Sequence, residues 1–141
     1  MKKNILKQLT LITLMLIAST IAYAQWTQVG TDIDGEAVND ASGTSVSLSS
    51  DGSIVAIGAQ YNDGNGSNAG HVRIYGNQNG TWTQIGTDID GEAVEDSFGW
   101  SVSLSSDGSV LAIGAFENDG NSLLTGHVRI YENQSETWTQ I

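Results

Sequence analysis

The chain has 141 residues, 16 acidic side chains against five basic ones, and neither cysteine nor proline. Without cysteine there is no disulfide framework, and a formal net charge of −11 repels nucleic acid and anionic lipid. No P-loop and no G-x-S-x-G elbow occurs, which excludes P-loop nucleotide chemistry and the nucleophile elbow of one large hydrolase class.

Residues 1–24 read as a secretory signal peptide. Met1 to Lys7 is a short basic segment, Leu9 to Ile21 is mostly apolar, and Ala22-Tyr23-Ala24 supplies an A-x-A cleavage site. The apolar run is too short to serve as a membrane anchor, which needs about 20 residues, and there is no lipid-attachment cysteine. Cleavage before Gln25 leaves Arg73 and Arg129 as the only basic side chains against 16 acids, a net charge of −14. The expected localisation is extracellular or cell-surface, with no membrane span after cleavage.

The remainder, 25–141, is a repeat. Trp26-Thr27-Gln28-Val29-Gly30-Thr31-Asp32-Ile33-Asp34-Gly35-Glu36-Ala37-Val38 returns 56 residues later as Trp82 to Val94, and Trp138-Thr139-Gln140-Ile141 opens a third copy. The units are therefore 26–81 and 82–137, with a third beginning at 138. Within a unit the pattern predicts four short strands. Ser101 to Ser105 alternates polar and apolar. Ser106-Asp107-Gly108 is a hairpin turn, and Ser109 to Ala115 is a continuous apolar run expected to be buried on both faces. His127 to Tyr131 forms a third strand and Thr137 to Ile141 a fourth, whose earlier equivalent runs from Thr81 to about Ile89. Four strands per unit of this length predict propeller blades, with Gly114 and Ala115 small where blades approach closely. The fold expected is all-β: two four-stranded antiparallel blades plus an orphan N-terminal strand over Trp26 to Ile33, part of a β-propeller.

One segment carries a family likeness. Asp96-Ser97-Phe98-Gly99-Trp100 through Ser106-Asp107-Gly108, followed by Leu111-Ala112-Ile113-Gly114-Ala115, resembles an FG-GAP repeat, the blade of integrin-α-type propellers and of exported bacterial proteins. Phe98-Gly99 matches the "FG" and Gly114-Ala115 the start of "GAP". The first copy departs from it with Ser42-Gly43, and the "GAP" proline is Gln60 in one copy and Phe116 in the other. Many blades of the family carry a D-x-D-x-D-G calcium loop between the first two strands. Here that turn holds only Asp51 or Asp107, and one carboxylate falls far short of the six to eight oxygens calcium takes. The resemblance implies a closed ring of more blades, so the chain reads as a fragment completed by remaining blades or by self-association.

The metal candidates are the acidic loops, Asp88, Asp90, Glu92 and Asp96 with their counterparts Asp32, Asp34, Glu36 and Asp40. Each opens as Asp-x-Asp-Gly but lacks the third aligned acid and the closing glutamate of a calcium loop. They are expected to be turn-forming connections that bind calcium weakly at most, with no other cofactor. His71 and His127, each two residues from an arginine, are expected to serve packing or surface roles, because no second histidine lies near in sequence. The repeated Trp26, Trp82 and Trp138 are expected to fill one packing niche per unit. With no nucleophile constellation, the functional expectation is a non-catalytic binding or adhesion module for an extracellular protein or glycan. The alternatives are the propeller part of a glycan-acting enzyme, or a spacer for another domain.

Overall fold

A computed structural model describes residues 3–4, 25–120 and 122–141; the leader reading, Lys3 and Asn4 apart, and Asn121 lie outside it. Between residues 25 and 141 the described chain contains strands and turns and no helix, and no described helix is long and apolar enough to cross a membrane. The first sheet contains β1 (Ser45–Leu48), β2 (Ile54–Ala59), β3 (His71–Gln78), β4 (Thr81–Gln84) and β5 (Ile89–Asp90); the second contains β6 (Ser101–Leu104), β7 (Val110–Ala115), β8 (His127–Asn133) and β9 (Trp138–Gln140). Both are antiparallel meanders, β1-β2-β3-β4 with β5 also on β3, and β6-β7-β8-β9. The registers repeat: Ser45 faces Gly58 as Ser101 faces Gly114, and Ile57 faces Arg73 as Ile113 faces Arg129.

Two strand expectations need correction. The fourth strand is not continuous from Thr81 to Ile89. Its ladder breaks after Gln84, Gly86 adopts φ +77°, and Ile89–Asp90 rejoins β3 opposite Val72 and His71. A backbone that must swing out and return uses glycine where φ turns positive. The segment Trp26 to Ile33 forms no strand. Its counterpart at Ile89 is a strand because β3 supplies the ladder, and among the described residues no strand pairs with Ile33 in the same way.

The sheets pack face to face. Ala56, Val72 and Ile74 from the first sheet meet Leu111, Ile113 and Tyr131 from the second, with Phe98 and Ile89 buried between them. The opposite face of the first sheet, Val55, Ile57 and Tyr75, is covered by Ile33 and Trp82. β2 is therefore almost wholly buried, as its apolar run predicts. The near-identical β7 instead alternates between buried and half-buried positions, because only one of its faces is covered. Trp82 and Trp138 share the expected niche, their indole N–H groups donating to the carbonyls of Val29 (3.0 Å) and Ile85 (3.3 Å). Trp26 is 97% exposed and fills no such niche.

Phe98, in the seam between the sheets, is the largest of the fully buried side chains. Phe98→Ala is expected to cost about 3–5 kcal/mol, a large share of a small domain's stability, read from the midpoint of urea unfolding. A midpoint within error of the parent would show that the seam does not depend on this ring.

Candidate functional site

Among the described residues, one group of three metal-capable side chains converges: Glu36, His71 and Asp88. Glu36 lies in the loop between Ile33 and β1, His71 opens β3, and Asp88 immediately precedes β5. The turn-back after Gln84 brings Asp88 to β3, since β5 pairs with His71 and Val72. The His71 side chain is only 2% exposed, and its Nδ1 sits 3.9 Å from Glu36 Oε2 and 3.8 Å from Asp88 Oδ2. Burial pushes the imidazole below its usual range, and the nearby Asp88 charge only partly opposes this. The Asp90 carboxyl shifts upward, first from desolvation beside the sheet and then from the charge of Asp88.

Each carboxylate is tied on its other oxygen. Gln84 Nε2 donates to Asp88 Oδ1 at 2.6 Å, and Arg73 Nη1 lies 3.5 Å from Glu36 Oε1. Arg73 is itself buried. Its Nη2 donates to the Asp34 carbonyl at 2.7 Å and its guanidinium lies 5.7 Å from the Tyr75 ring centre.

The other acids of the two loops are placed elsewhere. Asp32 accepts from Gln28 Nε2 at 2.8 Å. Asp40 and Asp96, both buried, accept the backbone N–H groups of Ala37 (3.1 Å) and Ala93 (3.0 Å). Glu92 pairs with Arg129 and accepts from Asn118 Nδ2 at 3.2 Å. Thus neither acidic loop gathers its own carboxylates round a point; the structure takes one acid from each loop and adds His71. A histidine with no partner near in sequence conceals this, because its partners are 35 residues before it and 17 after it.

A second feature lies at the seam. The backbone of Phe98-Gly99 enters a socket on the first sheet: Phe98 N–H donates to the Ala69 carbonyl at 3.0 Å, and Ser45 Oγ donates to the Gly99 carbonyl at 2.6 Å. Gly58 and Gly70 line it, and a Cβ at either would collide with the Gly99 or Phe98 carbonyl oxygen. The repeat-equivalents Ser101, Gly114, Thr125, Gly126 and Val128 line an open pocket on the second sheet. Val72 is fully buried in the first socket, whereas Val128 is 67% exposed in the second. Trp100 and Phe116, their rings 4.6 Å apart and both exposed, stand at this open pocket.

The sequence pattern of the FG-GAP repeat matches residues 26–75 and 83–131. The chain belongs to the FG-GAP repeat family. No curated protein matches it closely enough to count as a relative.

In these FG-GAP repeats the turn between the first two strands is organised by serines. Asp51 Oδ1 accepts from Ser49 Oγ (2.7 Å), Ser53 N–H (3.0 Å) and Ser53 Oγ (2.8 Å), and Asp107 Oδ1 accepts the same three donors from Ser105 and Ser109. The Ser49 and Ser105 hydroxyls also accept the N–H of Ile54 and Val110. These bonds hold both exposed carboxyls down at about 2, led by the Ser53 N–H for Asp51 and by the Ser105 hydroxyl for Asp107. A carboxyl lowered in the folded state stabilises above its ordinary value of 3.8 and loses that contribution as pH falls from there through about 2. In an NMR titration Asp107 is expected to change charge near pH 2 and to move up toward 3.8 in Ser105→Ala. An unmoved midpoint in that variant would contradict this account of the turn.

Proposed function

We propose that this chain is an exported, non-catalytic binding module: part of a β-propeller that docks further blades and offers its rim to an extracellular protein or glycan. The observation that carries the reading is the paired socket. On the first sheet it is filled by Phe98-Gly99, and on the second the same residue types line an open pocket beside an exposed aromatic pair. Its expected occupant is another blade carrying Phe-Gly, in the same polypeptide or a different one. A second copy of this chain is a poorer fit, because its first blade presents Ser42-Gly43. The near-identity of the two copies supports a non-catalytic role, since a catalytic rim needs residues that break repeat symmetry. Trp100 and Phe116, replacing Thr44 and Gln60, give the second blade apolar contact surface at this pocket that the first blade lacks. The basic and apolar leader of 1–24 is what motivates export.

A labelled peptide with the sequence of residues 91–104 is expected to bind the purified chain saturably in fluorescence anisotropy. Replacing its phenylalanine by the serine of the first copy should weaken binding at least about tenfold, since burying a phenylalanine contributes about 1.5–3 kcal/mol. Val128→Glu in the protein should have a similar effect. Absence of binding, or equal binding of the two peptides, would sink the socket reading.

A further inference from the structure

We propose that Glu36, His71 and Asp88 form a site for one first-row divalent transition metal of the zinc class. His71 Nδ1 is aimed into a gap between two carboxylate oxygens, 3.9 and 3.8 Å away, too far for a hydrogen bond to either. A ring nitrogen on a side chain only 2% exposed thus faces two carboxylate oxygens across a gap that no direct hydrogen bond spans and that an ion bonded to all three would fill. A metal bonded at about 2.0–2.2 Å to nitrogen and oxygen holds its ligands roughly 3.3–3.6 Å apart in a tetrahedron. The three donor atoms, all within 4.8 Å of one another, need to close by only a modest shift.

The outer groups have the pattern of a supported site. Metal-binding carboxylates are characteristically hydrogen-bonded on the oxygen facing away from the ion. Here Gln84 holds Asp88 Oδ1 and Arg73 faces Glu36 Oε1, leaving Oδ2 and Oε2 directed at His71. Glu36, Asp88 and Asp90 outweigh the single Arg73 guanidinium by two negative charges, which a dication neutralises. The donor set selects the metal. One imidazole and two carboxylates suit zinc and its neighbours, whereas calcium needs six to eight oxygens and no imidazole. Asp88 also borders an open polar pocket with Gln84, Gly86 and Thr87, which provides access for the ion and for a water as fourth ligand.

The second repeat is an internal control. His127 Nδ1 lies 3.6 Å from Glu92 Oε1, while the other Glu92 oxygen is paired with Arg129. No described carboxylate joins them as a third ligand. The inference is therefore one site per chain, spanning the first blade and the strand that leads into the second.

Isothermal titration of the purified chain with zinc chloride is expected to give one equivalent bound, and cobalt(II) should give the visible absorption of a tetrahedral centre. Asp88→Asn and Glu36→Gln, at partly exposed positions, should each abolish this binding while circular dichroism stays unchanged. Gln84→Ala, which releases only the outer oxygen, should weaken it about 10–100-fold. Glu92→Gln should leave it unchanged. Zinc should also shift the His71 imidazole nitrogen resonance and not that of His127. No binding at millimolar zinc by the folded chain, undiminished binding in Asp88→Asn, or loss of binding in Glu92→Gln would each overturn the proposal. None of these outcomes depends on whether the second-sheet socket takes a peptide.

Discussion

The close passage of one backbone against another at the seam sets the geometry of the whole molecule. The carbonyls of Phe98 and Gly99 run across Gly70 and Gly58 where a Cβ has no room, and Ser45 donates into the Gly99 carbonyl. Polar backbone entering a buried seam must be paired, and here the Ala69 and Asn68 carbonyls accept from the N–H groups of Phe98 and Ser97. The phenylalanine ring supplies the apolar burial that offsets ordering this loop. Specificity and stability are thereby divided: the glycines and serines set where the second sheet lands, and the ring with Ile74, Leu111 and Ile113 keeps it there.

This interface is heterologous, one face of a unit meeting a different face of the next, so each added unit exposes again the face it has just covered. The burial patterns of β2 and β7 record this directly, because nearly the same six residues are continuously buried in one sheet and alternately buried in the other. The first sheet's far side is closed by local means, with Ile33 and Trp82 against Val55, Ile57 and Tyr75. The second sheet has no such cover over Val128 and Ile130, both exposed. Here the Trp100 and Phe116 rings pack against each other at a 51° tilt, which withdraws part of their surface from water.

Electrostatics adds a second tie between the repeats. In a chain so acidic, each unit places its one arginine on the third strand beside a histidine and a glutamate from the preceding loop. Arg73 is buried, and its guanidinium is satisfied by the Asp34 carbonyl, Glu36 and the face of Tyr75. A buried charge of this kind is tolerated only when paired. The arrangement fixes the Glu36 carboxylate next to His71, and the return of the chain after Gly86 brings Asp88 to the same point.

Much of the fold follows from the residues alone. Period-two alternation, the Ser-Asp-Gly turns and the 56-residue shift locate the meanders β1-β2-β3-β4 and β6-β7-β8-β9 to within a few residues, though not the break that sets β5 apart from β4, because strand pairing across a short turn is a local matter. Phe98-Gly99 and Gly114-Ala115 likewise mark the family, and Phe98-Gly99 makes the close approach of the sheets, against Gly58 and Gly70. What local pattern did not contain is whatever requires a partner distant in sequence. Trp26 to Ile33 has the residues of a strand and, among the described residues, pairs with no ladder, and β7 has the residues of a doubly covered strand and one cover. The eight acids of the two loops look alike in the sequence, yet only Glu36 and Asp88 meet at His71, since convergence depends on the register of β5 on β3 and the loop path before β1. Spacing along a chain determines a repeat; the distance between side chains that lie far apart in it is decided only when the sheets close against each other.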